Sequence, residues 1–288
     1  MKKVLVTGKF GYIGSKFKEW IEVNDKDIEL EYISLRDSLW KEKDFSKYDA
    51  VLHLAGIAHV SRNPKLEEMY YKINRDLTIE LAKKSKDEGV NHFIYMSSII
   101  VYGKNSINFV NGVITLNTVP VPNDFYGESK LQAENLLDTL QTEKFKISII
   151  RPPMVYGPNS KGNFSYLLKF SRFLLLLPNI KNSRSIIYID NLNELMRLII
   201  KSGKCGIFMP KNSENLSTYE IIKVIRENMG KKTYKLIIVP KLLKIMFGKN
   251  NLFNKIFGNL EYDVKNPELI KNYNVISFKR SIEEIIKK

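Results

Sequence analysis

Val4-Leu5-Val6-Thr7-Gly8-Lys9-Phe10-Gly11-Tyr12-Ile13-Gly14 decides the fold. The first four residues read as a short buried strand. Three glycines spaced GxxGxxG follow, and a helical pattern runs from about residue 12 to 23. In that order the glycines have a use: they permit a tight turn and let main chain approach a pyrophosphate. The helix N-terminus then offers N–H groups and a partial positive charge to the anion. A bare β–α turn has the same local shape, but strand, turn and helix together at the N-terminus point to dinucleotide binding. On this reading Gly8, Phe10, Gly11, Tyr12, Ile13 and Gly14 hold the dinucleotide.

The pattern repeats outward from there. Strands are expected at 29–35, 50–54, 91–97 and 146–151, with helical stretches at 66–88 and 126–142. Leu54, Ala55 and Gly56 close the third strand, and Pro152-Pro153 halts the last. Strands alternating with helices imply parallel βαβ units. The expected class is therefore α/β, a Rossmann-like doubly wound parallel sheet, with ligands at the carboxyl ends of its strands. After Tyr156-Gly157-Pro158 the pattern loosens, with helices near 164–176, 191–201 and 218–229 and a strand at 186–189. We expect a dinucleotide-binding domain over 1–157. A smaller C-terminal substrate-binding lobe takes 158–288, with part of 183–203 returning to the first domain.

Composition excludes other classes. The chain has 288 residues, 44% hydrophobic and 11% aromatic, enough for a large core. Its single cysteine, Cys205, rules out an internal disulfide framework and a Cys-rich zinc site. His53, His59 and His92 form no helical pair, so no metal centre is expected. The N-terminal apolar run is too short for a signal peptide. No stretch approaches the roughly 20 apolar residues of a membrane span, so the expectation is a cytoplasmic protein without stable membrane insertion. The formal charge is +15, from 46 Lys+Arg against 31 Asp+Glu. Acidic residues are interleaved and no long basic block appears, which argues against nucleic-acid binding. Residues 236–257 mix apolar side chains with lysines and read as a lid helix on the core, with a membrane-surface segment as the alternative.

The end of the second strand bears on the cofactor. A carboxylate about 20 residues past the glycines would accept ribose hydroxyls and favour NAD. Ser34 stands where that carboxylate is often found, and Arg36 follows. A guanidinium there pairs with the 2′-phosphate of NADP(H), the preferred cofactor, while Asp37 leaves NAD(H) open. Asp44, before the third strand, is a candidate acceptor for the adenine amino group.

Tyr126-Gly127-Glu128-Ser129-Lys130 is a YxxxK pattern, and residues at i and i+4 share a helix face. The same spacing occurs at Tyr12/Lys16 and Tyr219/Lys223, but only Tyr126/Lys130 follows a strand ending in Ser97-Ser98 within a βαβ frame. A phenol with a reference pKa near 10 is about 4 kcal/mol from being a base at neutral pH. An ammonium at about 5 Å, at an effective dielectric near 20, supplies on the order of 3 kcal/mol of that. Ser98 is placed to hydrogen-bond the substrate oxygen near the phenol. The chemistry these groups suit is proton transfer coupled to hydride transfer at carbon.

The ordered set of motifs resembles the extended short-chain dehydrogenase/reductases of the nucleotide-sugar epimerase/dehydratase family. It comprises Gly8-x-x-Gly11-x-x-Gly14, His53-Leu54-Ala55-Gly56, Asn74, Ser97-Ser98-Ile99-Ile100-Val101-Tyr102-Gly103, and Tyr126-x-x-x-Lys130. Arg151-Pro152-Pro153-Met154-Val155-Tyr156-Gly157-Pro158 and Arg184-Ser185-Ile186-Ile187-Tyr188-Ile189-Asp190 complete it. The resemblance spans most of the chain, and the C-terminal third matches loosely. It implies a catalytic triad of Ser98, Tyr126 and Lys130, with Lys130 also on the nicotinamide ribose. It implies Pro153 beside the nicotinamide, Leu54, Ala55 and Gly56 along the dinucleotide, and Asn163 and Arg184 on the diphosphate of a UDP-sugar. Asn74 is expected to be structural. The resemblance further implies a homodimer joined through the helices at 66–88 and 126–142.

Within that family a 4,6-dehydratase needs an acid and a base directly after the catalytic hydroxyl. Ile99 and Ile100 stand there and move no protons. A 4-ketoreductase and a 4-epimerase remain. Arg36 and the segments 151–164 and 182–185 favour resemblance to bacterial reductases of UDP-4-keto-6-deoxy-N-acetylhexosamines, which serve surface-polysaccharide synthesis. The alternatives are a UDP-hexose or UDP-N-acetylhexosamine 4-epimerase and, outside catalysis, a nucleotide-binding regulator.

Overall fold

The computed structural model describes residues 1–58, 63–103, 112–173, 175–178, 182–236, 259–263 and 272–287. All but the first residue of the segment 236–257, and His59, lie outside the described residues.

Six parallel strands form the central sheet: β1 (Lys2–Thr7), β2 (Ile28–Ile33), β3 (Ala50–His53), β4 (His92–Met96), β6 (Lys146–Ile150) and β10 (Gly206–Phe208). Between these in sequence lie β5 (Val113–Ile114), β7 (Met154–Tyr156), β8 (Leu176–Pro178) and β9 (Ile186–Tyr188). The sheet order is β10-β6-β4-β3-β1-β2. The order reverses at β1, which has β2 on one side and β3 on the other. A crevice therefore opens at the carboxyl ends of β1 and β3, between crossovers that leave in opposite directions.

Strand alternation sends side chains to two layers. Val4 and Val6 of β1, Leu52 of β3 and Ile94 of β4 pack with Phe17 and Ile21 of α1 (Tyr12–Asn24). Leu5, Val51, Phe93 and Tyr95 face the opposite layer, with Leu81 of α3 (Leu77–Asp87) and Ala133 and Leu137 of α4 (Phe125–Leu140). Burying one such Phe or Leu contributes about 1.5–3 kcal/mol. Asp124 starts α4 by accepting the Gly127 N–H at 2.9 Å, a side-chain cap for a donor that the first turn cannot satisfy itself.

The expected helix at 66–88 is interrupted. A four-residue helix α2 (Glu67–Tyr70) passes into a π-helical turn at Tyr71–Asp76 before α3 begins. Asn74 lies in that turn, fully buried. It accepts the Ile57 N–H at 2.9 Å and donates to the Ile57 carbonyl and the Ser129 hydroxyl. Helix propensity did not forecast this turn, because tertiary hydrogen bonds hold it.

A second lobe combines β7, paired with β9, with α5 (Asn163–Ser171), α7 (Thr218–Asn228), α8 (Phe278–Lys287), and β8 with β11 (Tyr234–Leu236). β12 (Glu261–Tyr262) pairs with β5. Tyr156, Phe164, Tyr188, Ile225 and Phe278 form its core. Helix α6 (Ile189–Ser202) returns to the first layer, where Leu192, Met196 and Ile199 pack with Phe17 and Val4. The return continues past residue 203, because β10 then joins the sheet beside β6. This short strand was not anticipated from sequence.

Candidate active site

A cleft of about 1830 Å³ lies at the switch point and is lined by Gly8, Phe10, Gly11, Arg36, Leu54, Ala55 and Gly56, among others. Its floor is made by close main-chain approach. Gly8 has φ +83°, and a Cβ there would meet Leu54 and Ala55 main chain at 2.9 Å. A Cβ on Gly14 would fall 2.4 Å from the Gly8 carbonyl oxygen. Gly11 donates to that same carbonyl at 2.9 Å. Gly11 is also the N-cap of α1, with no side chain capping it. The first-turn N–H groups of Tyr12 and Ile13 have no intrahelical acceptor and carry the positive end of the helix dipole.

A buried chain of hydroxyls and imidazole fixes the opposite wall. Thr7 Oγ1 accepts the N–H groups of Leu54 and Ala55, both at 3.1 Å, and bonds His53 Nδ1 at 2.8 Å. His53 Nε2 bonds Thr78 Oγ1 at 2.9 Å, and Thr78 donates onward to the Asn74 carbonyl. The directions are consistent only with a neutral His53 carrying its proton on Nε2, a tautomer assigned from these partners. Burial, helped by the Lys130 charge, pushes this imidazole down to about 3.

Arg36 lines the cleft, exposed, after β2. Asp37 is turned into its own loop, where it accepts the Leu39 N–H at 3.1 Å. Asp44 stands apart from these residues. It is exposed, is not among the residues lining the cleft, and its carboxylate accepts the N–H and hydroxyl of Ser46. Both bonds go to the same oxygen, Oδ1. The Tyr12 ring packs against the second lobe and its hydroxyl sits beside Gly157, so only its main chain lies at the N-terminus of α1. Pro153 is buried, and the preceding Pro152 carbonyl accepts the Ile99 N–H at 3.0 Å.

Ser98, Tyr126 and Lys130 meet next to this cleft. Two residues past β4, Ser98 is the N-cap of a 3-10 turn, Ile99–Tyr102, and its hydroxyl accepts the Ile100 N–H at 3.3 Å. That hydroxyl also favours the ionised form of Tyr126. Lys130 is buried one helical turn beyond Tyr126. Its ammonium donates to the Met96 carbonyl at 2.9 Å and stands 4.6 Å from the Tyr95 ring centre. It lies 3.2 Å from where a Gly56 Cβ would be, so a glycine there joins the triad to the cleft.

The electrostatics differ from the sequence expectation. Tyr126 is pushed up to about 12 by burial, against which the Ser98 hydroxyl is the smaller effect. Lys130 is drawn down to about 8, also by burial, with Glu134 opposing. The lysine is engaged by main chain and ring, and the protein alone does not depress the phenol.

Asn163 is the exposed first residue of α5. Arg184 lies in main-chain bridges to Leu216 and Leu260, its guanidinium drawn down to about 10 by burial. Sequence reasoning missed Glu134. It stands four residues past Lys130 on the buried face of α4, beside Ala133 and Leu137, and an acidic residue at that spacing was the available signal. No group of three or more His, Cys, Asp or Glu arranged for a metal occurs among the described residues.

The model of the NAD dependent epimerase/dehydratase family matches residues 4–208. UDP-glucose 4-epimerase of Vibrio cholerae is 28% identical over 293 residues, covering 93% of this chain and 89% of that protein. The structure of UDP-glucuronic acid 4-epimerase from Bacillus cereus in complex with NAD superimposes with a TM-score of 0.74 at 20% identity, over 99% of this chain and 96% of that one. A dTDP-4-dehydrorhamnose reductase from Clostridium acetobutylicum gives 0.72 at 19%, over 99% and 98%. The two structural likenesses are likenesses of fold.

Proposed function

The chain belongs to the NAD dependent epimerase/dehydratase family, and from that premise we propose that it is an NAD(P)-dependent enzyme acting at C4 of a UDP-sugar, as a 4-ketoreductase of surface-polysaccharide sugar synthesis. The observation that carries the reductase reading is Arg36 in the cleft with Asp37 turned out of it. A guanidinium without a competing carboxylate suits the 2′-phosphate of NADP(H).

The cradle fits a dinucleotide. Gly8, Gly11 and the α1 N-terminus suit the pyrophosphate, while Leu54, Ala55 and Gly56 form the wall along it. When bound, the nicotinamide supplies the hydride. Tyr126 delivers its proton to the substrate's O4, and Ser98 holds that oxygen. A phenol raised to about 12 is fully protonated at neutral pH, which suits a donor. Lys130, at about 8, is mostly charged there and stabilises the phenolate left behind. Asn163 and Arg184 are read as contacts to the UDP-sugar diphosphate, and Pro153 as a neighbour of the nicotinamide. Ile99 and Ile100 leave no acid–base pair for dehydration. The same reading includes a homodimer.

A second reading is a UDP-hexose or UDP-N-acetylhexosamine 4-epimerase with NAD(H). The likeness to the Vibrio cholerae epimerase along 93% of the chain favours it. One experiment separates the two. The protein is given, in parallel assays, NADPH with a UDP-4-keto-6-deoxy-N-acetylhexosamine made in place by a dehydratase, and NAD with a UDP-hexose, absorbance and sugar products being followed in both. One NADPH consumed per sugar is the result expected. Epimers of a UDP-hexose formed at constant absorbance, with no ketosugar reduction, would overturn the reductase in favour of the epimerase.

A further inference from the structure

Glu134 is 2% exposed and carries no role in the proton transfer above. Its carboxylate receives three hydrogen bonds from Arg151, at 3.2 and 3.1 Å from Nε and 2.5 Å from Nη2. It also accepts the hydroxyl of Ser97, the residue before Ser98. Arg151 Nη1 reaches on to the Tyr102 hydroxyl at 2.5 Å, at the far end of the 3-10 turn that Ser98 caps. The Arg151 carbonyl is held in turn by Tyr262 Oη at 2.8 Å.

The strand end bearing Ser98 is therefore fastened residue by residue. Met96 is held by Lys130, Ser97 by Glu134 and the Ile150 carbonyl, Ile99 by the Pro152 carbonyl, and Tyr102 by Arg151. Two of these clasps come from one helix face, because Lys130 and Glu134 are one turn apart on α4. Tyr126 is one turn further back on the same helix. The helix that presents the phenol thus also grips the strand end that presents the serine.

We propose that Glu134 is a positioning residue that, backed by Arg151, locks Ser97 and so sets Ser98 in register with Tyr126 and Lys130. A buried ion pair with a single partner would serve packing alone. This one spends an oxygen on the residue adjoining the substrate-facing hydroxyl. Small misplacements of such groups are expected to lower the rate roughly 10- to 100-fold. Glu134 also acts on Lys130 through charge. The groups facing Lys130 and Glu134 from neighbouring elements are Tyr95 of β4, neutral His53 of β3, Tyr102 of the 3-10 turn, Tyr262 of β12, and Arg151 after β6. Of these only Arg151 is charged, so among the described residues Glu134 is the nearby anion that favours the charged ammonium.

The inference rests on the triad reading, and the test separates the two. Ser97→Ala removes the clasp while keeping the Glu134–Arg151 pair, so its folding is protected. Steady-state rates, Km for the UDP-sugar, NADPH affinity and thermal melting are compared for wild type, Ser97→Ala and Tyr126→Phe. For Ser97→Ala the expected result is a kcat lowered about 10-fold or more, with Km, cofactor affinity and melting close to wild type. A kcat within twofold, or a loss matched by loss of folded protein, would overturn the proposal. An active Tyr126→Phe would instead overturn the triad reading beneath it. Glu134→Gln, measured beside Glu134→Asp and the charge-free pair Glu134→Gln/Arg151→Met, tests the electrostatic half. The alkaline limb of kcat should move to lower pH in Glu134→Gln and return towards wild type in Glu134→Asp. If Glu134→Gln does not fold, the double variant supplies the pH profile. An unmoved limb in the folded variants would overturn that half.

Discussion

At Tyr126 two influences oppose each other, and burial outweighs the Ser98 hydroxyl. The phenol is therefore a reservoir of one proton at neutral pH. Tyr126→Phe keeps the ring and removes the proton, so kcat should fall at least about 100-fold with NADPH affinity unchanged. Stopped-flow turnover against cofactor titration checks this, and turnover near wild type would refute the assignment. Arg36 is a different case, because its role is recognition. One charge-assisted hydrogen bond is worth roughly 1.5–3 kcal/mol. Arg36→Ala should thus weaken NADPH far more than NADH when both are titrated by fluorescence. Equal losses would show that the guanidinium does not read the 2′-phosphate. Arg184→Ala should raise the Km for the UDP-sugar and leave cofactor affinity alone. A weakened cofactor with unchanged Km would place Arg184 elsewhere.

Elements bring these residues together. The turn between β1 and α1 works because Gly14 lets the helix approach the Gly8 carbonyl, an approach any side chain would block at 2.4 Å. The π-helical turn at Tyr71–Asp76 reaches Ile57 at the cleft wall and Ser129 on α4 through a single asparagine. Helices α3 and α4 pack side by side against one layer of the sheet. Their outer faces, with Leu136 43% exposed, are where the proposed homodimer would form. Such a four-helix interface would stiffen the helix carrying Tyr126, Lys130 and Glu134. Light scattering should return twice the chain mass at micromolar concentration, and a monomer would refute it.

At the scale of the whole molecule, two buried histidines make stability depend on pH. Burial pushes His53 down to about 3 and His92 to about 4. In the unfolded chain both titrate near 6.5, so below that pH the unfolded state binds protons that the folded state refuses. Stability is complete above about pH 6.5 and falls towards pH 4, by about 1.4 kcal/mol per pH unit for each histidine. Urea unfolding between pH 6.5 and 5, above the carboxylate range, should show that slope. In His92→Gln the slope should be roughly halved, and an unchanged slope would exclude His92 as a contributor. No helix among the described residues is long and apolar enough to cross a membrane.

The local signals were legible in the chain itself. Alternating apolar strands, glycines placed after β1 and the Tyr126/Lys130 spacing specify a doubly wound parallel sheet and its dinucleotide cradle, because strand period, turn geometry and helix period are properties of neighbouring residues. What depends on partners distant in sequence was decided only in three dimensions. The strand Gly206–Phe208 is too short to announce itself and exists because β6 offers it an edge. The π-helical turn follows from hydrogen bonds to residues on either side of it in the fold. The turn that ties Asp44 Oδ1 to Ser46, outside the cleft lining, is likewise visible only in the fold. The role of Glu134 depends on Arg151 and Ser97, which meet it from the ends of two different strands. Proton affinities at Tyr126 and Lys130 likewise come from enclosure, a property that no spacing encodes, since it is set by how much water the assembled layers exclude.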